Sequence, residues 1–235
     1  MIEQLFDRQD GLDILRLLIA AASLIAAIVY LRFVGGASSP LRATVKTMVI
    51  GVLVFLPLTY ANVEFADTRT LLILAVALLL SALGDLFLAL RRQDRFFLFG
   101  LGSFLAAHVT YLLIFIPRAT WPGGFTAALI AGLLGAASAL IVWLNPGLGK
   151  LRPPVFAYFA VIMAMVAASL SIPDAPWFLG AGAVLFAVSD SLIAVRKFKQ
   201  PFPYIDVAVW VTYCAAQYLI VAGLLVMLVH AGVPA

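Results

Sequence analysis

Four ionisable residues, Lys46, Asp85, His108 and Asp190, lie inside stretches otherwise too apolar for water. A charge at the centre of a bilayer costs at least about 2.5–3.5 kcal/mol, so such side chains face the interior of a helix bundle and commonly work there. Asp85 precedes Arg91 by six residues, and Asp190 precedes Arg196 by six. At the helical rise per residue, each carboxylate lies roughly 9 Å beneath a basic loop. Equal depth on two helices places them to meet across a shared cavity. Two carboxylates in a low-dielectric pocket rarely both ionise, which leaves one as an acid and the other as a base or electrostatic stabiliser. The alternative for each is structural, as a partner for Lys46 or for a neighbouring helix.

A second pattern surrounds His108. Phe97, Gly100, Phe104, His108, Tyr111 and Phe115 recur at steps of 3, 4, 4, 3 and 4, one stripe of a helix. The aromatics alone are ordinary packing and Gly100 a close helix contact. His108 adds a group that donates or accepts a proton, unless it is a satisfied core residue. Tyr111, one turn on, reaches the same substrate or His108 itself. Tyr213 and Gln217 form an i,i+4 pair suited to hydrogen bonding. Lys46 either snorkels to the surface or binds an anionic phosphate at the cavity mouth. Asp206 is the weakest candidate, solvated at the membrane edge or paired with Lys199.

Familiar hydrolase, zinc, P-loop and dinucleotide-binding signatures are absent. Two histidines and one cysteine, Cys214, build no metal site or internal disulfide, so neither a metal nor a cofactor is expected. Acid–base chemistry by carboxylates is what the inventory permits.

The elements that position these groups follow from composition. Of 235 residues, 65% are hydrophobic and 11% charged, against about 25% charged in a soluble domain. Mean hydropathy is +1.13. Soluble enzymes, coiled coils, disordered chains and nucleic-acid binders are excluded, and continuous apolar runs exclude a transmembrane barrel. The expected fold is an all-α membrane protein, a single transmembrane domain over 1–235. Eight spans are read near 13–34, 42–60, 70–90, 96–116, 124–144, 154–171, 177–195 and 204–230. The first apolar run is too long for a signal peptide and is kept as span 1. Eleven of the fifteen basic residues fall in loops 1–2, 3–4, 5–6 and 7–8, leaving Arg8, Arg16, Arg69 and Arg118 opposite. Both termini are therefore expected outside a bacterial inner membrane. Gly84-Asp85 ahead of Arg91-Arg92 echoes Ser189-Asp190 ahead of Arg196-Lys197, and Ala106-Ala107-His108 echoes Ala215-Ala216-Gln217. This suggests two parallel four-helix repeats, in halves 1–120 and 121–235.

Gly84-Asp85, the F-x-x-G-x-x-x-F-x-x-x-H-x-x-Y run from Phe97 to Tyr111, Phe186-x-x-Ser189-Asp190 and Tyr213-x-x-x-Gln217 together resemble the YhhN family of eight-span membrane proteins. The resemblance covers essentially the whole chain. Lys46 matches that family's early membrane lysine, with Thr47 where the family usually has proline. The resemblance implies a lysoplasmalogenase, which hydrolyses the sn-1 vinyl ether of a lysophospholipid to a fatty aldehyde and glycerophosphoethanolamine or glycerophosphocholine. It carries the family's two candidate catalytic aspartates onto Asp85 and Asp190. The implied partners are the lysophospholipid substrate and membrane lipids; no protein partner is implied. The alternatives are a proton-coupled small-molecule or lipid transporter, which also uses buried Asp and His, and a scaffold whose polar residues only fasten helices.

Overall fold

Proline and polar caps mark the starts of some helices in this apolar chain. The computed structural model describes residues 3–63, 66–90 and 94–230, and every regular element among them is helical. The α-helices among the described residues are α1 (Asp13–Tyr30), α2 (Pro40–Leu53), α3 (Phe55–Leu58), α4 (Thr68–Ala89), α5 (Asp94–Phe115), α6 (Gly124–Leu148), α7 (Arg152–Leu170), α8 (Trp177–Phe198) and α9 (Ile205–His230). Ser39 caps α2 by accepting from the Arg42 amide at 3.1 Å, with Pro40 in the first turn. Asp67 caps α4, accepting from the Thr70 amide at 3.1 Å. Pro57 has no N–H to offer the Leu53 carbonyl, and its ring crowds that carbonyl. The span read as one helix over 42–60 accordingly divides at Val54 into α2 and α3.

The chain is a multi-pass integral membrane protein. Among the described residues, seven helical stretches are long and apolar enough to cross a membrane, where eight were expected. The difference lies in Gly124–Leu170, which counts as one stretch. A short 3-10 turn, Gly149–Leu151, joins α6 to α7 without leaving the helical assignment. Gly149 takes φ +50°, a conformation that favours glycine. Arg91 and Arg92, two of the basic residues behind the expected orientation, lie outside the described residues.

Two compact units divide the chain. The first runs to Ile114 and takes in α9 from Val221. In it α2 lies against α1 and α4, over buried Val49, Ile50, Leu53, Leu71, Leu74 and Leu78. The Ser23 hydroxyl donates to the Val49 carbonyl at 2.7 Å and ties α1 to α2. The second unit, Phe115–Ile220, holds α6, α7, α8 and the first part of α9. Leu144 and Leu148 of α6, Val155 of α7 and Ala194 of α8 form an apolar cluster there. The rest of α6 turns outward, with Leu144 and Leu148 its buried residues.

The first unit is closed by a cluster around Arg16, whose side chain is fully buried. The guanidinium donates to Asp10 at 2.6 and 2.8 Å, to Asp13 at 2.9 Å, and to the Thr59 carbonyl and hydroxyl at 2.8 and 3.2 Å. It lies 4.2 Å over the ring of Tyr60. The Tyr60 phenol donates to the Leu5 carbonyl at 2.6 Å. The hydrogen bond from Arg16 holds the Asp10 carboxyl below the usual carboxylate value. A lowered folded-state value stabilises above the ordinary range and is lost as pH falls through it. Arg16→Leu is therefore expected to cost about 3–5 kcal/mol, with Arg16→Lys only partly restoring it, because an ammonium lacks the planar fork. Acidification below about pH 4 lowers the thermal midpoint of the wild type more steeply than that of Asp10→Asn, as scanning fluorimetry in detergent will read.

Candidate active site

Asp85 sits on the buried face of α4, with Ser81, Ala82 and Gly84 beside it. Its side chain is 1% exposed, and the Lys46 ammonium lies 3.0 Å from its Oδ1. Lys46 reaches it from α2, three residues after buried Ala43 and three before buried Val49, on the face turned to α4. Of the readings offered for this lysine, snorkelling, meeting a phosphate or partnering an aspartate, the structure shows it engaged with Asp85.

α5 packs on the same region of α4 because glycine lets it. A Cβ on Gly84 would meet the Phe104 ring at 2.6 Å, and one on Gly100 would meet Leu88 at 2.7 Å. The Ser103 hydroxyl donates to the Leu80 carbonyl at 2.8 Å. These contacts set the register of the stripe from Phe97 to Tyr111. His108 and Tyr111 are both fully buried in the first unit.

Asp190 occupies the buried face of α8 in the second unit. It accepts a hydrogen bond at Oδ2 from the phenol of Tyr158, on α7. Its neighbour Ser189 donates to the Val209 carbonyl at 3.1 Å, fastening α8 to α9. A Cβ on Gly182 would lie 2.9 Å from the Ala216 carbonyl, another close approach of the same two helices. Tyr213 stacks edge-on against Phe186, centroids 5.6 Å apart, and its hydroxyl accepts from Gln217 Nε2 at 3.5 Å. Both residues of that pair are buried.

The structure thus joins Lys46 to Asp85 and Tyr213 to Gln217, while Asp85 and Asp190 belong to different units and hold different partners. Asp206 corrects its expected pairing. It bridges to Arg196, ten residues back and reachable across the turn into α9, while the Lys199 ammonium lies 4.8 Å over the Trp143 ring. Two polar residues escaped the sequence reading. Arg16 counted only as a topological charge, and Tyr158 passed as one more aromatic in an apolar span. The available signal for Tyr158 was its hydroxyl, which needs a partner wherever the ring is buried. Among the described residues, no three His, Cys, Asp or Glu side chains are grouped to hold a metal ion.

Residues 41–224 match the model of the YhhN family. A lysoplasmalogenase of Mycobacterium bovis is 38% identical over 154 residues, covering 64% of this chain and 59% of the relative. Lysoplasmalogenase TMEM86A of Bos taurus is 36% identical over 154 residues, 62% of each chain. Human lysoplasmalogenase TMEM86B is 35% identical over 154 residues, covering 61% of this chain and 59% of the relative. The matched region spans about three fifths of each relative's length. No solved structure matches the chain.

The α4–α5 approach is directly testable. Gly84→Ala forces a methyl into the buried Phe104 ring and is expected to cost about 1–3 kcal/mol. Gly84→Ala with Phe104→Leu should be less destabilised than the sum of the two single variants by at least about 0.5 kcal/mol, measured by thermal unfolding in detergent.

Proposed function

The chain belongs to the YhhN family, and on that premise we propose that it is a lysoplasmalogenase, hydrolysing the sn-1 vinyl ether of a lysoplasmalogen. The products are a fatty aldehyde and glycerophosphoethanolamine or glycerophosphocholine. One observation carries the reading: two buried aspartates, on α4 and α8, each held by a polar side chain of another helix. Curated relatives named lysoplasmalogenase share this region of chain.

The chemistry suits carboxylates. A vinyl ether hydrolyses by protonation at its β-carbon, giving an oxocarbenium ion. Water adds to that cation, and the hemiacetal collapses to aldehyde and alcohol. A carboxylic acid delivers the proton, and a carboxylate stabilises the cation or activates the water, the same division of labour as in glycosidases. Asp85 and Asp190 take these roles. Lys46 orients Asp85, and His108, Tyr111, Tyr213 and Gln217 bind the polar part of the substrate. The apolar alkenyl chain needs only a lipid-accessible bundle.

The proposed topology has eight crossings, with α6 and α7 crossing separately, in the inner membrane of a bacterium with both termini outside. The two-repeat reading gains support from the partners of the aspartates. In each half the second long helix, α2 or α7, supplies the group that holds the aspartate of the third.

The test is incubation of purified protein in detergent with lysoplasmalogen and with the matching saturated-ether and ester lysolipids. Aldehyde is expected from the vinyl ether alone. Asp85→Asn and Asp190→Asn should each lower aldehyde release by at least about 100-fold while keeping a folded, monodisperse protein. Wild-type turnover in either variant removes that residue from catalysis. Absence of aldehyde from the wild type, where no gradient exists, turns the reading toward a carrier.

A further inference from the structure

We propose that Tyr158 is a positioning residue of the hydrolytic site, fixing the carboxyl group of Asp190 throughout the proton-transfer cycle. The inference rests on the reading of Asp190 as one of the two reacting carboxyls. Tyr158 is 5% exposed and Asp190 9%, and the phenol donates directly to Oδ2.

The tyrosine is itself held still. Val155, Tyr158, Ile162, Met165 and Val166 form the buried face of α7, at the spacing of one helical stripe, and α7 packs on α8. Packing therefore fixes the ring before any hydrogen bond forms. Phenylalanine would fill the same volume without bringing a hydroxyl into an apolar interior. A buried hydroxyl left without a partner costs about 1–3 kcal/mol, so the tyrosine is worth keeping only where its hydroxyl has a task. At this position the task is Asp190.

A phenol suits a carboxyl that changes protonation state. It donates to the carboxylate, and it accepts from the carboxylic acid by rotating its O–H away. The contact survives on both sides of a proton transfer, and the rotamer of Asp190 survives with it. The ammonium of Lys46 has donors and no acceptor, so it serves Asp85 only as a carboxylate. The two aspartates are thus held by chemically different partners, matching two different duties in the reaction. A carboxyl released from its orienting partner remains able to bind and react but adopts the productive geometry less often. That loss falls on kcat, and a misplacement of about 1 Å is worth roughly 100-fold.

The experiment compares purified wild type, Tyr158→Phe and Asp190→Asn for aldehyde release from lysoplasmalogen, with kcat, KM and the pH profile of each active form. Tyr158→Phe is expected to lower kcat about 10- to 100-fold, leave KM unchanged and displace one limb of the pH profile. Site-specific Tyr158→3-fluorotyrosine keeps ring and hydroxyl and perturbs only the acidity of the phenol. It is expected to move the same limb, and it keeps the test sound should the phenylalanine variant fold poorly. Wild-type kcat and pH profile in both Tyr158 variants, with Asp190→Asn inactive, overturn the role of Tyr158 and leave the hydrolase reading standing. Full activity of Asp190→Asn overturns the assignment of Asp190, and the role of Tyr158 with it.

Discussion

A polar group inside hydrocarbon has no water to fall back on, so each must be answered by another part of the chain. That constraint organises both units. Ser23 answers the Val49 carbonyl, Ser103 that of Leu80 and Ser189 that of Val209, each a clasp between two helices. Lys46 with Asp85 and Tyr158 with Asp190 are the same kind of clasp, made from the groups to which the proposed function gives the chemistry. On the proposed function, chemistry and cohesion draw on the same few residues. Removing one partner takes a buried contact from the other, so variants at these positions need a folding control beside any activity measurement.

Glycine and proline complete the arrangement by subtraction. Without hydrophobic drive between helices in lipid, close backbone approach supplies the packing. Gly84 and Gly100 bring α4 and α5 together beside Asp85, and Gly182 brings α8 to α9 below Asp190. Pro57 removes one hydrogen bond and divides α3 from α2, the helix that carries Lys46.

Much of this was legible in the sequence because apolarity makes exceptions conspicuous. The helices, their order, the stripe through His108 and the two aspartates stand out against a background of Leu, Ala and Val. What sequence spacing does not contain is who meets whom across helices. Lys46 was already offered as a partner for either aspartate, but which of the two it meets was not, since residues 39 positions apart meet only through the packing of α2 on α4. Tyr158 was hidden because a tyrosine in an apolar span reads as an aromatic until its hydroxyl is placed. Arg16 was hidden because it lies near the start of its span, where a basic residue looks like a marker of orientation. The span count differed because a three-residue 3-10 turn lets two helices run together without an irregular residue between them.

The Arg16 cluster also bears on the order in which the molecule is made. Asp10 and Asp13 lie beside Arg16 in the chain and are present as soon as it is, whereas Thr59 is 43 residues further on. Until Thr59 has been made, the guanidinium has only its local carboxylates to bond. Full coordination waits for the residues that follow α3. A chain that misplaces Thr59 and Tyr60 therefore leaves the guanidinium short of every contact it draws from further along the chain.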